Sequence, residues 1–367
     1  MRNIKIGIFL LLIAEVAIIY PSYAQVENSL EFVPKLEYQT YGGAVLAHRN
    51  DMEALAKNPF FGNELRLGFQ TTGTKDWHQF YNYPIFGVGF YSANFFNNVI
   101  GKPKAVFLFM ELPFLRKNEH VLSTNWSVGT TFNINEYDSV LNPENIAIGT
   151  DLNVYIDFSL SYKYSIAESW EVGTGLKLQH FSNGAYAYPN LGLNMAAGFV
   201  SVAYYPGKTI KEFNNPTESQ FLKKYEVTTL FAGSWRAKDI DHNNIRYFAS
   251  TSSISVNKRL TPKRMVGVGF DHFYQGYLVD YYPSDYEVST SDLMSYAGFL
   301  SSDMIVDRFR LVVQLGFYMY RPVDFGLFFY ERVALRYYPT KRIFANVSIK
   351  AHAAKAEFIE WGLGMSF

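Results

Sequence analysis

A strict two-residue alternation of apolar and polar side chains runs through this sequence and leaves few folds open to it. Residues 151–164 show it most clearly, with one face formed by Leu152, Val154, Ile156, Phe158, Leu160 and Tyr162. The same period recurs in residues 308–319 and 342–350. A period of two predicts β-strands with one apolar and one polar face. Their length exceeds the roughly five or six residues usual in soluble sheets and matches the roughly 9–11 residues of a tilted membrane strand.

About sixteen segments of the chain have this character. They are 31–42, 64–71, 84–91, 104–114, 121–132, 150–164, 169–181, 192–205, 225–235, 244–257, 264–274, 292–301, 308–319, 327–337, 342–351 and 357–367. Most tight connections alternate with longer polar ones, as periplasmic turns alternate with external loops in bacterial barrels of even strand number. Connections 72–83 and 206–224 break this alternation, so fourteen strands are also possible. The sequence therefore predicts an all-β fold, a transmembrane antiparallel up-and-down β-barrel of about sixteen strands.

The N-terminal residues have the pattern of a cleaved signal peptide, which we assign to residues 1–24. Arg2 and Lys5 give a positive start, residues 6–20 are almost wholly apolar, and Ser-Tyr-Ala at 22–24 forms a small-residue cleavage site. Cleavage there would leave residues 25–367 as the barrel. An exported chain that crosses a membrane with strands is expected in the outer membrane of a Gram-negative cell.

Composition and the end of the chain restrict the partners. The chain has no cysteine, so neither a disulfide framework nor a thiolate metal site is available. Its 33 basic and 33 acidic residues balance, without a long basic run, which argues against nucleic-acid binding. We expect no cofactor, and no metal because the histidines lack metal-ligand spacing. The terminal aromatic Phe367 resembles the signal by which outer-membrane proteins engage their assembly machinery.

The segment 170–205 carries the densest cluster of chemically useful residues. Its first strand has an apolar face, formed by Trp170, Val172, Thr174, Leu176 and Leu178, which should look at lipid. Counting on by twos puts His180 and Ser182 on the same face, and Asn194 shares the more apolar face of the returning strand. If the first strand starts in the periplasm, this hairpin tip lies at the outer leaflet. A hydroxyl, an imidazole and an amide then converge at the lipid-facing outer rim.

Such a convergence fits nucleophilic catalysis. A serine hydroxyl attacks well only when a histidine takes its proton and a third group holds that histidine in the right tautomer. Donors in the loop would stabilise the oxyanion. By itself a His-x-Ser pair also fits the polar rim of a hairpin, because turns use Ser, Asn, Gly and Pro.

The longer string is more specific. His180-Phe181-Ser182-Asn183-Gly184 followed by Pro189-Asn190-Leu191-Gly192-Leu193-Asn194 resembles the signature of the PagL-type lipid A 3-O-deacylases, or acyloxyacyl hydrolases. The resemblance implies a barrel with a Ser-His-Glu triad on its lipid-facing surface, which removes an ester-linked acyl chain from lipid A, so lipopolysaccharide is the expected partner. It further implies roles for individual residues: Ser182 as nucleophile, His180 as general base, Asn183, Gly184 and Asn190 near the oxyanion hole, and Pro189 and Gly192 as scaffold.

One position departs from the family. Asn194 stands where the deacylases have the glutamate that orients the histidine. An amide oxygen can accept a bond from the imidazole, but it cannot stabilise the imidazolium by charge. Glu171 is a poor substitute, since it has inward parity and lies near the opposite rim.

Two other functions are compatible with the sequence. The polar strand faces carry Lys, Arg, Asp and Tyr, as the wall of a porin or uptake channel would. A catalytically inactive barrel that binds lipopolysaccharide is the third hypothesis. Among the other histidines, His48 could contact lipid phosphates from the first external loop, the surroundings of His78 are typical of an interfacial anchor, and His272 lies near an outer rim.

Overall fold

The computed structural model describes residues 31–206, 224–238, 245–324, 327–353 and 355–367. The signal peptide assigned to residues 1–24 lies outside the described residues. Within these ranges no helix has the length and apolar character needed to cross a membrane.

Sixteen antiparallel strands form the structure. The first eight are β1 (Phe32–Val45), β2 (Pro59–Thr71), β3 (Ile85–Asn94), β4 (Gly101–Lys117), β5 (His120–Ile134), β6 (Asn153–Ala167), β7 (Trp170–Ser182) and β8 (Leu193–Tyr204). The other eight are β9 (Tyr225–Ala237), β10 (Arg246–Thr261), β11 (Arg264–Gln275), β12 (Met294–Val306), β13 (Phe309–Tyr320), β14 (Phe329–Tyr337), β15 (Ile343–His352) and β16 (Lys355–Ser366). The helical elements are short: α1 (Asp76–Phe80) and the 3₁₀ helices Asn50–Met52, Gly276–Tyr281 and Thr290–Leu293.

The strands close into two barrels of eight, whereas the sequence led us to expect one barrel. Strand β1 pairs with β8 from Leu36 opposite Tyr204 to Val45 opposite Met195, and β9 pairs with β16. The sixteen strands and the antiparallel barrel fold are confirmed. Alternation along a strand separates lipid-facing from inward residues, but it does not reveal which distant strand will close the sheet. The irregular connection 206–224 is the link between the two barrels.

The outer surfaces of both barrels are apolar, as the alternation predicted. Leu176 of β7 is 69% exposed and Leu363 of β16 is 67% exposed, while the inward-facing Lys177 and Ser366 of the same strands are buried. The hydrocarbon core of a bilayer offers no hydrogen-bond partners, so a barrel surface that contacts it must be apolar. The exposed leucines of both barrels meet this requirement.

Paired charges fill the lumen of the first barrel. Lys35 and Glu171 lie 2.7 Å apart, and Glu64 bonds both Arg66 and Lys177. An eight-stranded barrel is only wide enough for its own side chains, so these charges meet one another rather than water. Inward-facing Glu171 is therefore committed to Lys35, and it does not serve the hairpin cluster. The filled lumen also argues against the channel hypothesis.

The second barrel is filled in the same way. Arg332 is 1% exposed and binds Asp271 at 2.5 Å and Glu360 at 2.8 Å, while Lys350 pairs with Glu357 at 2.7 Å. Each of these buried charges thus has a partner of opposite sign, which offsets the cost of removing it from water.

The second irregular connection, 72–83, carries α1 and contacts the second barrel. The hydroxyl of Tyr81 donates to the carbonyl of Ile305 at 2.7 Å, and Tyr81 packs with Leu112 and Val306. His78 of α1 is buried, its Nδ1 accepts from the N–H of Gly73 at 3.2 Å, and burial lowers its pKa to about 4. It is a neutral structural residue. The length of this connection thus reflects a contact between barrels.

Removing the central cation of the second barrel should destabilise it. Arg332→Ala leaves Asp271 and Glu360 buried without their cation, a change that typically costs about 3–5 kcal/mol. We expect a lower urea midpoint by tryptophan fluorescence in detergent micelles. Arg308→Ala, which removes an exposed arginine from the neighbouring turn, is the matched control. Equal midpoints for the two variants would contradict the role given to the buried pairs.

Candidate active site

Strand β7 presents His180 and Ser182 on the outer face of the first barrel. The intervening residue Phe181 points inward and is fully buried, together with Leu193 on the paired strand. Two residues of one strand separated by one position share a face, so the hydroxyl and the imidazole come together without any bend of the backbone.

These side chains form a hydrogen-bonded chain with Asn194. His180 is the direct cross-strand partner of Asn194 in the β7–β8 pair. His180 Nδ1 lies 2.7 Å from Asn194 Oδ1, and His180 Nε2 lies 2.8 Å from Ser182 Oγ. An amide oxygen can only accept, so His180 must carry its proton on Nδ1. Nε2 is then free to accept the serine proton, which is the arrangement a general base requires.

Asn183 organises the loop that follows Ser182. Its backbone N–H donates to Asn190 Oδ1 at 3.0 Å, and its side-chain amide donates to Ala187 O at 3.0 Å and to Thr150 Oγ1 at 3.2 Å. The donors of Asn183 are thus used by this loop and by Thr150 of the connection between β5 and β6. Among the described residues, neither the N–H of Gly184 nor the side-chain nitrogen of Asn190 has a hydrogen-bond acceptor; Gly184 is buried and Asn190 is partly exposed.

Gly192 allows the loop to approach the histidine closely. Its φ is +76°, in the left-handed region, and a Cβ built there would lie 2.7 Å from His180 Cε1. Its N–H donates to Ala147 O at 3.1 Å in the neighbouring loop between β5 and β6. Pro189, the other predicted scaffold residue, follows a cis peptide bond and lies against Gly149 in that same neighbouring loop.

The second barrel supports the same loop from the other side. The N–H of Ala237 donates to Ala185 O at 3.2 Å, and Arg236 donates to the hydroxyl of Tyr188 at 3.2 Å. Gly184, with a φ of +63°, lies so close to Ile359 of β16 that a Cβ would overlap that side chain. The loop after the serine is therefore held between both barrels.

Two family models match the chain in the regions of the two barrels. The model described as lipid A 3-O-deacylase (PagL) matches residues 63–204, and the C-terminal domain of acyloxyacyl hydrolase matches residues 224–367. The chain belongs to this family. Membership supports a lipid A deacylase function and a location in the outer membrane, and the hairpin cluster lies in the part that the deacylase model matches.

No curated protein sequence matches the chain significantly. Among solved structures, Neisserial surface protein A is 8% identical, with 47% of this chain and 96% of that chain covered and a TM-score of 0.31. The translocator domain of the autotransporter NalP from Neisseria meningitidis is 9% identical, with 100% and 95% covered and a TM-score of 0.23. A porin mutant from Rh. blastica is 11% identical, with 92% and 100% covered and a TM-score of 0.20.

The structure places two of the remaining histidines. His272 lies on the outer face of the second barrel, stacked on Tyr296. His48, for which a contact with lipid phosphates stays a prediction, lies beside the deacylase motif with its Nδ1 3.3 Å from Asn194 Nδ2. Sequence reasoning missed this contact because the two residues are 146 positions apart. Among the described residues, no group of three or more His, Asp or Glu is placed to hold a metal ion.

A methyl group on Gly192 should disable the motif without unfolding the barrel. Gly192→Ala forces His180 away from Ser182, and a displacement of about 1 Å can cost about 100-fold in rate. The measurement is the rate at which Ser182 reacts with a fluorophosphonate probe. Gly198→Ala on β8 is the control, because the nearest atoms to its Cβ would be 3.9 Å away. Equal labelling of both variants would contradict the importance of this approach.

Proposed function

We propose that this protein is an outer-membrane esterase that hydrolyses an ester-linked acyl chain of lipid A at the outer leaflet by a Ser-His mechanism. The observation that carries the proposal is the chain of hydrogen bonds from Asn194 through His180 to Ser182 on the outward face of a membrane strand. The ester bonds of lipid A lie between sugar headgroups and acyl chains, so a lipid-facing rim is where an enzyme would meet them.

The reaction proceeds in two balanced halves. In the first, Ser182 Oγ attacks the ester carbonyl as His180 Nε2 takes its proton, and the tetrahedral intermediate then expels the sugar oxygen, which receives that proton. In the second half, His180 deprotonates a water molecule that attacks the acyl-serine. The products are the free fatty acid and the shortened lipid A, and Ser182 regains its proton from His180.

The negative oxygen of each intermediate needs fixed donors. We assign this role to the N–H of Gly184 and the side-chain amide of Asn190, because the donors of Asn183 already bind Asn190, Ala187 and Thr150. Asn183 then acts through the shape of the loop, which differs from the direct role that the family resemblance implied for it.

Export and assembly complete the proposal. Residues 1–24 would direct the chain out of the cytoplasm and be removed. At the other end, the backbone N–H of Phe367 donates to Val227 O at 2.9 Å, so the chain terminus lies along the closing strand of the second barrel. A terminal aromatic in that position fits recognition by the outer-membrane assembly machinery.

Removing the nucleophile tests the mechanism. Purified protein in detergent should release fatty acid from lipid A, and Ser182→Ala should abolish this release because no other group replaces the attacking oxygen. Mass spectrometry of lipid A and the released acid gives both products. The Gly198→Ala variant, which changes the same face of the barrel away from the motif, should remain active. Release that is unchanged in Ser182→Ala would refute the serine mechanism.

Asn194 favours a second candidate function, a barrel that binds lipopolysaccharide without cleaving it. The amide supplies no negative charge for the imidazolium, and loss of that charge together with a wrong tautomer costs a serine protease about 10⁴-fold. In the proposed arrangement His180 already carries its proton on Nδ1, so Asn194→Glu should raise acyl release by much less than about 10⁴-fold. Lipid A that stays intact with both wild type and Asn194→Glu would favour the inactive barrel.

The enzyme and channel hypotheses predict different conductances. Because paired side chains fill both barrels, planar bilayers containing the protein should show no steady porin-like current. Large stable conductance steps would instead support an uptake channel.

A further inference from the structure

His48 contacts the member of the motif that departs from the family. Its Nδ1 lies 3.3 Å from Asn194 Nδ2, while the oxygen of the same amide faces His180. His48 is exposed and belongs to the external loop after β1, so neither the β7–β8 hairpin nor the family signature includes it. A role for His48 at this site rests on the proposed function, in which Asn194 orients His180.

The loop that carries His48 is fixed to the same strand. The N–H of Leu46 donates to the carbonyl of Asn194 at 2.8 Å, continuing the β1–β8 pairing by one more bond. Further along the loop, Met52 and Leu55 are buried in the apolar cluster that closes the first barrel. His48 is therefore held over Asn194 from both ends of a short segment.

An asparagine in this position needs such a neighbour, whereas a glutamate does not. Both oxygens of a carboxylate accept, so either can bond the N–H of His180. An amide has one accepting and one donating end, and a rotation of 180° exchanges them. If the nitrogen of Asn194 faced His180, His180 Nδ1 would have to accept and its proton would move to Nε2. The imidazole could then no longer take the proton of Ser182.

We propose that His48 is a positioning residue that selects the productive orientation of the Asn194 amide. By accepting from Asn194 Nδ2, the unprotonated Nδ1 of His48 directs Oδ1 toward His180. The tautomer of His180 is thereby fixed without a carboxylate. The hydrogen-bonded chain extends from Ser182 to His48, and this second histidine selects an orientation that a symmetric glutamate would not need to have selected.

Substitutions that differ in donor and acceptor character test this directly. His48→Ala removes the acceptor and should lower acyl release by about 5- to 10-fold, the usual effect of one hydrogen bond. His48→Lys offers only donors, attracts the amide oxygen and should lower release by at least about 100-fold. His48→Gln offers an accepting oxygen and should lose less than His48→Ala. Arg49→Ala, which removes the neighbouring partner of Asp51, should leave activity unchanged.

Repeating the series in an Asn194→Asp background separates orientation from charge. Aspartate has the length of asparagine but two accepting oxygens, so no orientation remains to be selected. His48→Ala and His48→Lys should then each change activity less than about threefold relative to Asn194→Asp alone. A loss of the same size in both backgrounds would overturn the proposal, because it would point to the charge or the bulk of residue 48.

The protonation of His180 provides a readout that does not depend on activity. Nitrogen NMR of labelled histidine, assigned with His180→Gln, should show the proton on Nδ1 in the wild type and on Nε2 in His48→Lys. An unchanged tautomer would overturn the proposal. If wild-type protein releases no fatty acid while the tautomer still responds to His48, the proposed function fails and the positioning role stands.

Discussion

Backbone hydrogen bonds between the first and last strand close each barrel. This closure fixes the width of the lumen and leaves the outer surface as the place where a substrate can bind. No water in a bilayer core can satisfy an open sheet edge, so β1 must pair with β8 and β9 with β16. Closure after eight strands leaves a lumen too narrow for a water-filled channel. The inward charges therefore pair with one another, as Lys35 and Glu171 do. Chemistry directed at an external substrate must then use the outer face or the rims.

The deacylase motif shows how such a face can carry a reaction. A strand places His180 and Ser182 side by side, and its hairpin partner places Asn194 opposite the histidine. The loop between the strands is held by Gly192, by the loop between β5 and β6 and by the second barrel. In this family member the C-terminal barrel contacts the motif loop directly and supports its conformation.

Replacing a carboxylate with an amide changes what the surroundings must supply. A carboxylate carries its own charge and is symmetric, whereas the amide of Asn194 depends on its neighbours for orientation. His48 supplies an acceptor at the donating end of that amide. The cost of losing the charge remains, and it sets the expected activity below that of a family member with glutamate. The asparagine at position 194 thus affects both the expected rate of acyl release and the role of the distant loop that carries His48.

Local properties of the chain were enough to assign the strands and their lipid-facing sides, because period-two alternation is visible in short segments, while the resemblance to the family indicated the residues of the motif. The division of sixteen strands into two barrels became visible only in the folded molecule, since closure depends on pairing between segments as distant as β1 and β8. The same holds for the commitment of Glu171 to the lumen and for the contact between His48 and Asn194. Those contacts join residues that are far apart in the chain, so no local sequence pattern predicts them.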